Sequence, residues 1–144
     1  MARIPDDALA IVKRTRKWAE TKGRELKFCE GLSGMCAIAA AELFRRLNRD
    51  GHPVKLAMAR RTEFGRLDAH VFVVYKDKYI LDITATQFGY EPVEVRWFRN
   101  FMHPWFWKAA DIYPDDVELE MAQVRIGWSP IQLANTYTSS WRTT

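Results

Sequence analysis

The sequence has few cysteines and no long apolar run, and these absences exclude several classes of protein. Among 144 residues only Cys29 and Cys36 are cysteines, too few for a disulfide-stabilised scaffold of this size. Six residues separate them and no partner pair accompanies them, so the spacing does not fit a structural zinc site. No uninterrupted apolar segment approaches the roughly 20 residues that cross a bilayer. We therefore expect neither a metal centre nor a membrane-spanning protein.

Four further kinds of signal are missing from the chain. It has no glycine-rich phosphate-binding loop, no internal repeat and no low-complexity linker. Residues 1–7 lack the apolar core of a signal peptide and include two acidic residues, Asp6 and Asp7. We therefore expect a single domain over residues 1–144, a cytoplasmic location and no cofactor.

The chain is basic, with a net charge of +4 and a pI near 9.2, which raises the question of nucleic-acid binding. Basic residues cluster at 13–17 and at Arg60, Arg61 and Arg66. Acidic residues are interleaved throughout, however, and no known nucleic-acid-binding module accompanies the clusters. The first cluster is better explained as the solvated face of a helix.

Helical patterns dominate the first third of the chain. Residues 5–22 predict an amphipathic helix with Pro5 at its first position and Gly23 as its stop. Residues 35–48 predict a second helix, in which alanines on one side favour close packing against a sheet. The segment 50–53 contains Gly51 and Pro53 and ends this helix, and a short strand follows at 54–59.

The clearest β signal is a hairpin in which residues 69–75 and 79–84 flank a polar loop at 76–78. Both strands are apolar on both faces, so the hairpin is expected at the centre of the sheet. Residues 93–98 predict another strand, and 115–125 a further helix. Together these patterns predict an α+β domain with an antiparallel sheet.

His70 and Asp82 are the polar exceptions in these apolar strands, and interior polar groups need a partner. A three-residue loop pairs Tyr75 with Tyr79, which makes His70 and Asp82 diagonal neighbours on one face. The helix that begins near Cys36 is then expected to pack against that face and to present its first turn to His70. A thiol at a helix start is favoured as thiolate by unpaired N–H groups and the macrodipole.

Three segments carry a family resemblance: Gly34-Met35-Cys36, Asp68-Ala69-His70-Val71-Phe72 and Ile80-Leu81-Asp82-Ile83-Thr84-Ala85-Thr86-Gln87-Phe88. They resemble the papain-like and transglutaminase-like superfamily of cysteine enzymes, and the last segment is similar to small bacterial and phage-type members of unassigned substrate. The resemblance implies a nucleophile helix packed on an antiparallel sheet. It also implies that Cys36 is the nucleophile, His70 the general base and then acid, and Asp82 the group that orients His70.

The resemblance leaves the oxyanion site open. Papain-type enzymes use a glutamine shortly before the cysteine, and none occurs at that place in this sequence. The N–H of Cys36 can supply one donor. The second could come from the loop before the helix, where Ser33 lies, or from Gln87.

The sequence therefore predicts a thiol hydrolase or acyltransferase that acts on an amide bond of a protein or peptide through an acyl-enzyme. Peptidase, protein-glutamine deamidase and acyltransferase share this chemistry, and the triad does not separate them. The alternative is an inactive binding protein on the same scaffold, which uses its basic and aromatic surface to bind a protein or nucleic acid. His103, in an aromatic segment, is the rival base, whereas His52 is better explained as a turn residue.

Overall fold

The computed structural model describes residues 4–25, 36–63, 66–84, 94–97 and 110–125, which contain three helices and five strands. The helices are α1 (Asp6–Glu25), α2 (Cys36–Arg49) and α3 (Asp116–Arg125). The strands are β1 (Val54–Glu63), β2 (Arg66–Tyr75), β3 (Tyr79–Asp82), β4 (Glu94–Trp97) and β5 (Asp111–Tyr113). Within these residues no helix combines the length and apolar character that a membrane crossing requires.

All five strands lie in one antiparallel sheet with the order β4-β3-β2-β1-β5. The predicted hairpin of β2 and β3 is therefore internal, and the expectation of an α+β fold with a central hairpin is confirmed. β1 also pairs with β2 along its whole length, which the sequence did not predict, and it continues to Glu63 rather than ending near Ala59. The short strand β5 was not predicted.

The ends of the two N-terminal helices show which local signals decide helix boundaries. Gly51 ends α2 with a φ of 82°. Two hydrogen bonds close the turn: the N–H of Gly51 donates to the carbonyl of Asn48, and the N–H of His52 donates to the carbonyl of Leu47. Gly23 was expected to end α1, but the helix continues to Glu25 and Gly23 is buried inside it. Intrinsic propensity is a weak determinant, and packing overrides it at this position.

The turn between β2 and β3 has the predicted register. Tyr75 pairs with Tyr79, and the pairing continues through Val74 and Ile80 to Val73 and Leu81. Lys76 and Asp77 both have positive φ, at 53° and 56°, as expected at the two central positions of a tight hairpin turn. Continued by one residue, this register sets Asp82, the last residue of β3, opposite Phe72, so His70 is its diagonal neighbour.

The two faces of the sheet carry different groups. On one face the odd-numbered residues Val71, Val73 and Leu81 pack with all three described helices through Ile11, Ala37, Ala39, Leu43 and Leu119. On the other face the even-numbered residues Phe72, Val74 and Ile80 cluster with Ala57, Ala59 and Ala110. The alternation of strand side chains separates these two clusters. The alanines of α2 allow close approach to the sheet, as the sequence pattern predicted.

Candidate active site

His70 and Asp82 form a buried pair at the end of β3. The Nε2 atom of His70 lies 2.6 Å from Oδ2 of Asp82, and the two side chains retain only 1% and 2% of their exposable surface. An N–H to carboxylate bond of this length is short, which is typical of a charge-assisted hydrogen bond. The diagonal relationship that the hairpin register predicted is therefore present.

The second oxygen of the Asp82 carboxylate is held by Thr84. Its Oδ1 atom accepts hydrogen bonds from the Thr84 N–H at 2.9 Å and from the Thr84 hydroxyl at 3.2 Å. The carboxylate thus has a partner on each oxygen and cannot rotate without losing one of them. The Asp82 carboxylate thus accepts hydrogen bonds from the residue two positions later, as aspartates often do at turns, and it also binds the His70 ring.

Cys36 is the first residue of α2, and its side chain contacts His70. The residue is a free cysteine with 5% of its surface exposed. Its thiol lies close enough to the imidazole of His70 to help raise the pKa of that ring. Because Cys36 opens the helix, its sulfur also lies at the positive end of the macrodipole. The structure brings the three predicted side chains together, while their catalytic roles stay a prediction.

The route by which Cys36 reaches His70 differs from the one that the sequence predicted. We expected α2 to pack on the face of the sheet that carries His70, but the body of α2 packs on the opposite face with Val71 and Val73. The His70 ring stacks on that of Phe72, whose side chain belongs to the second cluster. The paired part of β2 and β3 ends at Val73 and Leu81, so the contact with Cys36 lies beyond it.

The surroundings of His70 favour its charged form. Burial lowers the pKa of His70, but the charge and hydrogen bond of Asp82, together with the interactions of Cys36, outweigh burial. They raise the pKa of His70 from the ordinary value of 6.5 to about 10. A perturbed histidine between a thiol and a buried carboxylate is the arrangement that a cysteine nucleophile requires.

His52, the histidine that we assigned to a turn, lies far from this site. It follows α2, whereas Cys36 begins that helix, and 14 helical residues span about 20 Å. Its Nδ1 shares a hydrogen bond of 3.1 Å with the hydroxyl of Tyr75, and its Nε2 lies 3.3 Å from Oδ2 of Asp7. His52 therefore links the start of α1 to the end of β2, at the opposite end of α2 from Cys36.

Four other candidates lie outside the described residues: Cys29, Ser33, Gln87 and His103. Two residues near the site escaped the sequence argument. Thr84 occurs in the sequence argument only within the segment that carries the family resemblance, and the pattern places Arg16 in a solvated basic cluster. Arg16 instead donates a hydrogen bond of 2.7 Å to the carbonyl of Ile83, next to Asp82.

Among the described residues, no three side chains of histidine, cysteine, aspartate or glutamate form a group that could hold a metal ion. Comparison with known proteins adds no assignment, since no family model, curated protein or solved structure matches this chain. The functional argument therefore depends on the geometry of Cys36, His70 and Asp82.

Proposed function

We propose that this protein is a cysteine-dependent hydrolase or acyltransferase that acts on an amide bond of a protein or peptide. The observation that carries the proposal is His70, which contacts Cys36 on one side and the doubly held carboxylate of Asp82 on the other. A nucleophile, a base and an orienting group in contact form the minimal set for covalent catalysis by a thiol.

The proposed chemistry starts from a thiolate on Cys36 and an imidazolium on His70. Asp82 engages Nε2, so we assign Nδ1 of His70 to the thiol. The sulfur attacks the carbonyl carbon of the amide and forms the C–S bond. The imidazolium then donates its Nδ1 proton to the leaving nitrogen as the C–N bond breaks, which releases an amine or ammonia and leaves a thioester on Cys36.

The second half of the reaction returns the enzyme to its starting state. Neutral His70 accepts a proton at Nδ1 from water or from an acceptor amine, whose oxygen or nitrogen attacks the thioester carbonyl. The C–S bond breaks, and the sulfur leaves as thiolate beside the renewed imidazolium. Asp82 acts as a carboxylate throughout and stabilises the positive charge on His70. Water gives hydrolysis or deamidation, and an amine gives acyl transfer.

Charge that develops on the carbonyl oxygen needs hydrogen-bond donors. We propose the N–H of Cys36 as the first donor, because the opening residues of a helix carry N–H groups without helical partners. Ser33 and Gln87 stay candidates for the second donor, and both lie outside the described residues.

The order Cys36, His70, Asp82, with a helix that carries the cysteine and two strands that carry the other groups, supports a papain-like or transglutaminase-like fold. The observed helix and hairpin are compatible with that proposal. They also supply what the proposal needs physically, since rigid elements fix the positions of all three side chains.

A second proposal is a binding protein that has this scaffold but no activity. It is favoured by one observation, the exposed basic side chains Lys13, Arg14, Lys17 and Arg24 on α1, which fit an acidic partner. Such a protein has no use for an activated thiol. Thiol reactivity therefore separates the two proposals.

The test measures the rate of alkylation by iodoacetamide near pH 7 and locates the label by mass spectrometry. We expect Cys36 to react faster than a free cysteine in a peptide, and Cys36→Ser to abolish this fast labelling. Cys29→Ser is the matched control and should leave the rate unchanged, because the sequence gives Cys29 no base. Loss of labelling in Cys29→Ser alone would mean that Cys36 is the wrong nucleophile.

Incubation of the protein with a peptide library, and separately with an electrophilic amide probe, then identifies the type of reaction. Cleaved peptides indicate a peptidase, ammonia release from glutamine indicates a deamidase, and incorporation of an added amine indicates an acyltransferase. In each case Cys36→Ala must remove the activity. A Cys36 that labels no faster than a free peptide thiol would instead support the binding protein.

A further inference from the structure

A charged residue of α1 reaches the strand end that carries Asp82. The side chain of Arg16 is 11% exposed, and its Nη1 donates a hydrogen bond of 2.7 Å to the carbonyl oxygen of Ile83. Its Nε donates a second one of 2.7 Å to Oε1 of Glu20, one turn along the same helix. The guanidinium is thus fixed on its own helix by Glu20 while it holds the backbone of another element.

The carbonyl that Arg16 holds belongs to a tight corner. Ile83 stands between Asp82, the last residue of β3, and Thr84, whose N–H and hydroxyl both donate to Oδ1 of Asp82. A displacement of Ile83 therefore moves both donors of the carboxylate. The other carboxylate oxygen, Oδ2, holds His70.

We propose that Arg16 is a positioning residue of the active site, which holds the Asp82–Thr84 corner so that Asp82 keeps His70 oriented toward Cys36. The inference depends on the proposed function, because the position of His70 matters only if it serves Cys36. It assigns α1 a part in the site that no motif in the sequence indicated.

An arginine suits this task better than a lysine. The planar guanidinium presents donors in a fixed fork, so one side chain can bind a carboxylate through Nε and a carbonyl through Nη1 at once. A lysine carries a single flexible ammonium that cannot reproduce this geometry. Arg16→Lys therefore keeps the charge but loosens the corner.

The inference makes a specific claim about coupling. If Arg16 acts only through Asp82, then its removal has no further effect once the Asp82 carboxylate is gone. Two residues that act through one network have non-additive effects on the rate, whereas the effects of two residues that act independently multiply. A double-mutant cycle between Arg16 and Asp82 therefore distinguishes positioning from general support of the fold.

The experiment measures alkylation of Cys36 by iodoacetamide from pH 5 to 9 in full-length protein that carries Cys29→Ser, so that one thiol is labelled. We expect Arg16→Met to slow the reaction at pH 7 roughly tenfold, less than the hundredfold that a misplacement of about 1 Å can cost. Its pH profile should shift in the same direction as that of Asp82→Asn. Arg16→Lys and Glu20→Gln should give smaller losses, and they keep the test decisive if Arg16→Met does not fold.

Arg46 supplies the matched control on the neighbouring helix. Like Arg16 it pairs with a glutamate one turn away, with 3.5 Å between Nε and Oε1 of Glu42, and it lies over the ring of Trp18. Arg46→Met should keep the wild-type rate and pH profile. The double variant Arg16→Met/Asp82→Asn should react within about twofold of Asp82→Asn alone, as expected for coupled residues.

The outcomes separate the inference from the function on which it depends. If His70→Ala reacts as fast as wild type, the proposed function fails, and the role of Arg16 fails with it. If His70→Ala is slow but Arg16→Met and Arg16→Lys behave like Arg46→Met, the function stands and the inference is overturned. Multiplicative effects of Arg16→Met and Asp82→Asn would also overturn it, because Arg16 would then act independently of Asp82.

Discussion

Asp82 holds the Nε2 atom of His70 at 2.6 Å in a part of the core where neither side chain has more than 2% of its surface exposed. Such a pair is costly to break, since removal of one partner leaves an uncompensated polar or charged group in the core, at about 3–5 kcal/mol. The pKa of His70 also differs between the folded and the unfolded protein. This gives the pair a pH signature that can be measured without any substrate.

The first prediction concerns that signature. The pKa of His70 is raised from 6.5 to about 10, so its protonation stabilises the fold fully below pH 6.5 and ceases to do so as the pH rises through 10. The difference in free energy of unfolding between wild type and His70→Gln should therefore shrink from pH 6.5 to 10. This difference is measured by urea unfolding at several pH values. All of them lie above about 5.5, so that ordinary carboxyl groups, which titrate near 4, do not contribute.

Leu43→Ala is the control for this series. Leu43 is fully buried on α2 and carries no charge. Leu43→Ala should therefore lower the free energy of unfolding by roughly 2–5 kcal/mol, and this loss should be the same at every pH. A difference for His70→Gln that stays constant, or grows as the pH rises, would contradict the raised pKa.

The second prediction concerns the turn that fixes the hairpin register. Lys76 has a φ of 53°, in the left-handed region, where a residue other than glycine, asparagine or aspartate costs roughly 1–2 kcal/mol. Lys76→Gly should raise the free energy of unfolding by about 0.5–1 kcal/mol, because the relief of strain exceeds the added entropy of the unfolded chain. Lys76→Val, which is β-branched, should lower it. Equal stabilities of the two variants would mean that the turn is not in this conformation.

The third prediction tests how α2 packs. Ala39 of α2 is fully buried in the core cluster that the helices form with one face of the sheet, so Ala39→Leu should destabilise the protein by about 1–3 kcal/mol through overpacking. Asn48→Leu introduces the same side chain at an exposed position of the same helix and should change stability by no more than about 0.5 kcal/mol. A tolerated Ala39→Leu would show that this side of α2 is not packed in the core as described.

Local pattern was enough to predict the part of the fold that carries the site. Two continuous apolar strands and the polar three-residue loop between them specified the β2–β3 register, since a slip of one residue would turn His70 and Asp82 to opposite faces. Helical periodicity and Gly51 specified α2 and its end. Polar residues in otherwise apolar strands then singled out His70 and Asp82.

The remaining features depend on contacts between distant parts of the chain. Arg16 and Ile83 are 67 positions apart, and a basic residue at 16 looks like any solvated residue of an amphipathic helix. The three residues of β5 are too few for a pattern, and their pairing with β1 decides their conformation. The face on which α2 packs follows from how the helices fill one side of the sheet, which periodicity alone does not specify.

The last prediction ranks the partners of Cys36 by their distance from the reacting sulfur. His70 contacts the thiol, whereas Asp82 acts only through His70. His70→Ala should therefore slow alkylation of Cys36 at pH 7 by roughly a hundredfold or more, the range of general acid–base contributions. Asp82→Asn keeps His70 as a base and removes only the carboxylate that orients the ring and stabilises its charge. This substitution should therefore slow the reaction less. Rates are measured with iodoacetamide in the Cys29→Ser background.

Thermal unfolding of each variant must accompany these rates, because both changes remove a partner from a buried pair, and only folded protein counts in the comparison. His52→Ala is the matched control, since that histidine lies at the opposite end of α2, and it should keep the wild-type rate. If folded His70→Ala reacts as fast as wild type, the thiol is not activated by this histidine and the catalytic proposal is wrong. If Asp82→Asn is the slower of the two, the carboxylate does more than orient the ring, and Asp82 rather than His70 would be the group that governs Cys36.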